Sequence, residues 1–215
     1  MQSIEVVVTT GGVELPGTLT LPDAASGIVA FAHGSGSSRF STRNQRVARA
    51  LNQAGLATLL FDLLTAQEHE RDVESAEYRF DIALLTRRLV GAVDWLSLHS
   101  PTKKLSIGLF GASTGAAAAL QTAAELGEQI SAVVSRGGRP DLAGPDALSQ
   151  IECPTLLLVG GLDDVVIDLN RQAANQMHCH KELVIVPGAT HLFEEPGTLE
   201  EVERLSAEWF ARYLK

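Results

Sequence analysis

Three residues in this chain have the types, chain order and settings of a nucleophile, an orienting acid and a base. Ser113 is the centre of Gly111-Ala112-Ser113-Thr114-Gly115, a G-x-S-x-G pattern lying directly between the apolar run Leu105 to Phe110 and an alanine-rich segment. The five-residue pattern is common by chance, and its weight comes from the strand-turn-helix setting. So tight a turn lifts the serine hydroxyl clear of the strand end and tolerates only small neighbours, which accounts for Gly111 and Gly115. The helix N-terminus beneath it favours developing negative charge.

A serine hydroxyl needs a base to take its proton. Leu183-Val184-Ile185-Val186 gives way to Pro187-Gly188-Ala189-Thr190-His191, so His191 sits in a loop past an apolar strand, free to lie over the serine. An imidazole of pKa about 6.5 can take a proton and return it near neutrality. Between serine and histidine, Thr155 to Gly160 leads into Gly161-Leu162-Asp163-Asp164. Asp163 is the preferred orienting acid, with Asp164 the adjacent alternative. An oxyanion would be met by the backbone N–H groups of Thr114 and, from the loop His33-Gly34-Ser35-Gly36-Ser37-Ser38, of Ser35. Gly34 and Gly36 let that backbone come close, and Gly34 is also a candidate substrate contact. His33 is expected to brace the loop through hydrogen bonds and to transfer no proton.

Several arginines fall near the same edge: Arg39, Arg43, Arg46 and Arg49 after the glycine-rich loop, Arg136 and Arg139 after the strand ending at Ser135. Arg136 is the candidate for gripping an anionic substrate group, because it ends a strand at the active edge. The alternative for all six is solvation or structural pairing. His178-Cys179-His180 is not read as a metal site, since adjacent residues of an extended segment point to opposite sides and no further ligand is suitably spaced. Trp95 and Trp209 lie in helical patterns and read as core.

The elements that must position these residues alternate. Ile4 to Leu21 reads as a hairpin around Thr10-Gly11-Gly12. Buried strands are expected at Gly27 to Ala32, Leu56 to Leu63, Lys104 to Phe110, Ser131 to Ser135, Thr155 to Gly160 and Glu182 to Val186. Helices are expected at about Thr42 to Ala54, Arg79 to Leu98, Thr114 to Leu126 and Leu199 to Tyr213. Such alternation implies an α/β fold with a mainly parallel sheet covered on both faces, whose ligands bind at the C-terminal ends of the strands. Leu64 to Tyr78, acidic and poor in apolar residues, reads as a solvated loop or short excursion, with part of a lid as the alternative.

The 215 residues, 45% hydrophobic and 20% charged, fit one globular domain spanning 1–215. A formal net charge of −9 argues against nucleic acid and anionic membranes as partners. No run approaches the ~20 apolar residues of a membrane span. Two cysteines, Cys153 and Cys179, fit a reducing compartment, and a cytoplasmic protein is expected.

Together His33-Gly34-Ser35-Gly36, Gly111 to Gly115, Gly160-Gly161-Leu162-Asp163 and Gly188-Ala189-Thr190-His191 resemble the α/β-hydrolase superfamily, and within it the dienelactone-hydrolase-like group. The resemblance spans nearly the whole chain. It implies an eight-stranded sheet whose second strand is antiparallel, and hydrolysis of a small ester, lactone or related acyl bond without a cofactor. The short stretch between Ser135 and Thr155 leaves out the large cap domain many relatives insert. Dienelactone hydrolase itself uses a cysteine nucleophile where this chain has Ser113, and neither Cys153 nor Cys179 lies at the elbow. A catalytically silent scaffold that binds a ligand or partner, and an acyltransferase using the same three residues, are the competing readings. Oligomeric state is left open.

Overall fold

A computed structural model describes residues 1–215. The hairpin forms as expected from β1 (Gln2–Thr10) and β2 (Val13–Leu21), turned by Gly11 and Gly12, both at positive φ. The later strands are β3 (Gly27–Ala32), β4 (Ala57–Phe61), β5 (Ser106–Ala112), β6 (Ile130–Arg136), β7 (Thr155–Gly160) and β8 (Lys181–Val186). They form one eight-stranded sheet in the order β1-β2-β4-β3-β5-β6-β7-β8. β2 is antiparallel to both β1 and β4, and all other neighbours are parallel. Because the parallel strands share a direction, the residues that follow them emerge along one edge.

Burial on both faces explains the unbroken apolar runs of β3 and β7. In β3, Ile28, Ala30 and Ala32 join a core that includes α3 (Ile82–Leu98) and α4 (Thr114–Leu126), while Val29 and Phe31 join a core with α1 (Thr42–Gln53) and α7 (Thr198–Tyr213). β8 departs from the expected buried strand: it is the outermost strand, with Glu182 exposed and Leu183, Val184 and Ile185 half-buried. Trp209 is buried as expected, whereas Trp95 is only half-buried and stacks on His99 at 4.2 Å.

Leu64 to Tyr78 contains a helix, α2 (Ala66–Ser75), not a loop. Its surface is polar nearly all round, so no apolar stripe betrays it. What starts it is a capping box, in which Thr65 Oγ1 accepts from the Glu68 N–H and the Glu68 carboxylate accepts from the Thr65 N–H. Arg88 holds Glu68 at 2.7 Å, and the buried Asp72 carboxylate accepts the N–H groups of Tyr78 and Arg79. α3 accordingly begins at Ile82, capped by Asp81, three residues later than Arg79. Two further helices, α5 (Pro145–Gln150) and α6 (Asp164–Gln176), complete the chain. No helix is long and apolar enough to cross a membrane.

Candidate active site

Ser113 sits between β5 and α4 with φ 52° and ψ −120°, a conformation L-residues rarely adopt. Neighbouring chain holds it there. The Ser113 N–H donates to the Arg136 carbonyl at 3.2 Å, and the Arg139 N–H donates to the Ser113 carbonyl at 3.2 Å. A side chain at Gly111 would meet the Ala116 N and Gly115 O at 2.7 Å, and one at Gly115 would meet the His33 carbonyl oxygen at 2.5 Å. Both obstacles are backbone. Gly115→Ala is therefore expected to cost about 1–3 kcal/mol, lowering the melting temperature by several degrees. An unchanged thermal transition in that variant would show that the elbow has more room than the structure gives it.

Asp163 and His191 are brought together. His191 Nδ1 lies 2.7 Å from Asp163 Oδ2. A carboxylate only accepts, so Nδ1 carries the proton, and in the neutral imidazole this tautomer leaves the lone pair on Nε2. The two loops are stitched by backbone bonds: Gly161 N–H to Val186 O at 2.8 Å and Leu162 N–H to Ala189 O at 2.9 Å. Asp163 precedes the first turn of α6 but makes no cap, its carboxylate being spent on the imidazole. Asp164 opens the helix and is exposed.

The glycine-rich loop after β3 is held from both sides. His33 is buried; its Nδ1 donates to the Gly34 carbonyl at 3.1 Å, and its Nε2 accepts the Leu63 N–H at 3.0 Å. Burial above all pushes its pKa down from 6.5, against the opposing pull of the Gly34 hydrogen bond. This is the bracing role expected of it. In the unfolded chain the ring takes up a proton below about pH 6.5, whereas the buried ring resists. Stability should hold above that pH and fall as pH drops from 6.5 toward the lower folded-state value. Melting curves between pH 7.5 and 5.5 check this, with a shallower decline expected in His33→Gln.

The Ser35 and Thr114 hydroxyls share a hydrogen bond of 3.0 Å, fixing the loop against the elbow. Thr114 opens α4, so its N–H has no intrahelical acceptor. The Ser35 N–H donates to no protein group either. A side chain at Gly34 would come within 3.2 Å of Ser113 Cβ, crowding the hydroxyl.

Ser113 and His191 line one cavity of about 210 Å³ with Gly34, Ser35, Arg43, Asn44 and Arg136. Its only apolar lining residues are Ala112 and Leu192. Among the six arginines near this edge, structural pairing holds for three: Arg39 pairs with Asp62, Arg46 with Glu200 and Glu203, and Arg139 with Asp141. Neither cysteine reaches the cavity, and burial first, then the neighbouring Cys179, pushes the Cys153 thiol up to about 12.

The family model for the dienelactone hydrolase family matches residues 15–214. The chain belongs to the dienelactone hydrolase family. A crystal structure of dienelactone hydrolase from Anabaena variabilis superposes with a TM-score of 0.98 and 57% identity, over 100% of this chain and 99% of that one. Est1E from Butyrivibrio proteoclasticus shares the fold at 17% identity, TM-score 0.81, over 97% and 98% of the two chains. A curated Mycobacterium tuberculosis protein, provisionally named a phosphoribosyl transferase, is 54% identical over 210 residues, which are 98% of this chain and 46% of that protein. The chain thus spans about half the length of the curated relatives it matches.

Two residues not singled out in the sequence, Glu195 and Gly137, and one quoted there only as part of a motif, Gly160, shape the site of this dienelactone hydrolase family member. Glu195 clamps the histidine loop, accepting from Thr190 N at 3.0 Å and Thr190 Oγ1 at 2.6 Å; those bonds, the hydroxyl's first, hold its carboxyl below the usual range. Gly137, at φ 53°, lies against the histidine loop, where an added Cβ would come within 3.3 Å of the His191 carbonyl oxygen. Gly160 lets the histidine loop close over β7, since a Cβ there would meet the Ala189 oxygen at 2.5 Å and the Thr190 oxygen at 2.6 Å. An acid four residues after a loop histidine was a readable signal for Glu195, but the two glycines matter only through the packing of loops distant in sequence.

Proposed function

We propose that the chain is a serine hydrolase of small carboxylic esters or lactones, with Ser113 as nucleophile, His191 as general base and acid, and Asp163 orienting the imidazole. The observation that carries this reading is the 2.7 Å Asp163–His191 bond at a cavity shared with a serine held at positive φ. His191 Nε2 takes the Ser113 proton as Oγ attacks the carbonyl carbon. The resulting oxyanion accepts from the N–H groups of Thr114 and Ser35. His191 then returns the proton to the leaving oxygen, and a water deprotonated by the same nitrogen releases the acid and restores Ser113. No step requires a cofactor. Gly34 lies beside the bound carbonyl, and Arg136 meets a polar end of the substrate.

The phosphoribosyl transferase name belongs to relatives of about twice this length, and the hydrolase reading rests on the family and the site instead. Residues 1–215 serve as one hydrolase domain. The free cysteines, one of them buried, support a cytoplasmic setting.

A p-nitrophenyl ester series tests the reading. The small, polar-lined cavity favours acetate and propionate esters, with turnover falling as the acyl chain lengthens and lost in His191→Ala. Full activity in purified His191→Ala would overturn the assignment.

A further inference from the structure

Arg136 is the one buried arginine without an acidic partner; Arg88, the other, has Glu68. Arg136 Nη2 donates to Asn44 Oδ1 at 3.2 Å, while its Nε and Nη1 are buried with no acceptor. A guanidinium taken from water with no anion beside it is a costly arrangement, and a fold that keeps one at the wall of a reactive cavity has a use for it.

The α1 segment beside Arg136 carries charge of the same sign. The N-terminus of α1 opens on this cavity through Ser41, Arg43 and Asn44, and its first turn holds no acidic residue. Ser41 Oγ caps the Asn44 N–H at 3.3 Å, which leaves the N–H groups of Thr42 and Arg43 without acceptors, and free N–H groups at a helix start attract anions. Arg43 pairs with the exposed Glu194 at 3.1 Å through Nη1 only, and its Nε is buried without an acceptor. Burial chiefly, and then the charge of Arg43, pushes Arg136 down to about 10, which leaves it charged at neutral pH. Two cations and a helix N-terminus therefore converge within a protein of net charge −9.

We infer that Arg136, Arg43 and the N-terminus of α1 form a phosphate subsite, which holds the phosphate dianion of a substrate whose ester or lactone carbonyl is presented to Ser113. The inference rests on the hydrolase reading for its second half only. A lone carboxylate is satisfied by the fork of one arginine. A dianion calls for more than one donor group, and here the uncompensated Arg136 is joined by Arg43, a second guanidinium from a different element whose charge is shared with Glu194.

The test is calorimetric titration of inorganic phosphate, sulfate and acetate into the full chain carrying Ser113→Ala, so that turnover plays no part. Phosphate and sulfate should bind saturably at one site and acetate at least tenfold more weakly. Adding Arg136→Gln should weaken phosphate at least tenfold while raising the melting temperature of the anion-free protein, because a buried unpaired charge is removed. Arg43→Gln, at the cavity rim, should weaken phosphate severalfold and gives the same readout should the Arg136 variant misfold. Absence of saturable phosphate binding, unchanged affinity in both variants, or acetate binding as tight as phosphate would each overturn the subsite. Fluorophosphonate labelling of the chain with Ser113 intact separates the two claims. Phosphate binding with Ser113 unlabelled would leave an anion site and remove the acyl chemistry, whereas labelling without phosphate binding would remove the subsite alone.

Discussion

Ser113→Ala should lower ester hydrolysis by at least a thousandfold while leaving the fold intact. Loss of a serine nucleophile that works with a histidine costs on the order of 10⁶ in kcat, and what remains reflects binding and the oxyanion donors. The elbow would survive, because it is fixed by backbone bonds to Arg136 and Arg139 and by Gly111 and Gly115, none of which involves the hydroxyl. Ser113→Gly should be equally inactive yet more stable than the alanine variant by about 1 kcal/mol, since glycine adopts φ 52° without penalty. Steady-state kinetics with thermal melts of the three proteins measure both effects. Hydrolysis persisting in Ser113→Ala at a tenth of the wild-type rate would place the nucleophile elsewhere.

The second large effect separates two adjacent carboxylates. Asp163→Asn should reduce kcat by about 10⁴, because an amide presents a donor as readily as an acceptor and lets His191 settle in the wrong tautomer with Nε2 protonated. Asp164→Asn should leave kcat within about twofold, since Asp164 is exposed at the start of α6 and makes no contact with the imidazole. Its contribution is to the helix N-terminus, worth a fraction of a kcal/mol. A larger loss in Asp164→Asn than in Asp163→Asn would reverse the assignment.

Much of this site was legible in the sequence because its residues follow buried parallel strands, where apolar runs end abruptly in glycine-rich loops. Strand direction then places Ser35, Ser113, Arg136, Asp163 and His191 along one edge with no knowledge of side-chain packing. The choice between Asp163 and Asp164 was not legible, because it depends on which carboxylate the loop after β7 turns inward. α2 escaped notice because periodicity detects helices by an apolar stripe, and this one is made by its capping box and by ion pairs. Pairing within the arginine cluster was equally hidden. Arg39, Arg46 and Arg139 find carboxylates that sequence spacing does not predict, and only the fold isolates Arg136.

That isolation has an energetic side. A strained serine, a buried unpaired guanidinium and glycines packed against backbone all lower stability, and all lie at the C-terminal edge of the sheet. Beyond their first residues, Ser106 in β5 and Thr155 in β7, the side chains of β3, β5 and β7 are apolar and buried, and the cost at one edge is offset there.

The most direct measurement of the central claim is the mass of the folded chain after exposure to a fluorophosphonate. An activated serine should give one stoichiometric adduct on the peptide containing Ser113, absent in Ser113→Ala and formed far more slowly in His191→Ala. A folded wild-type protein that takes up no adduct, or an adduct that persists in Ser113→Ala, would contradict the account.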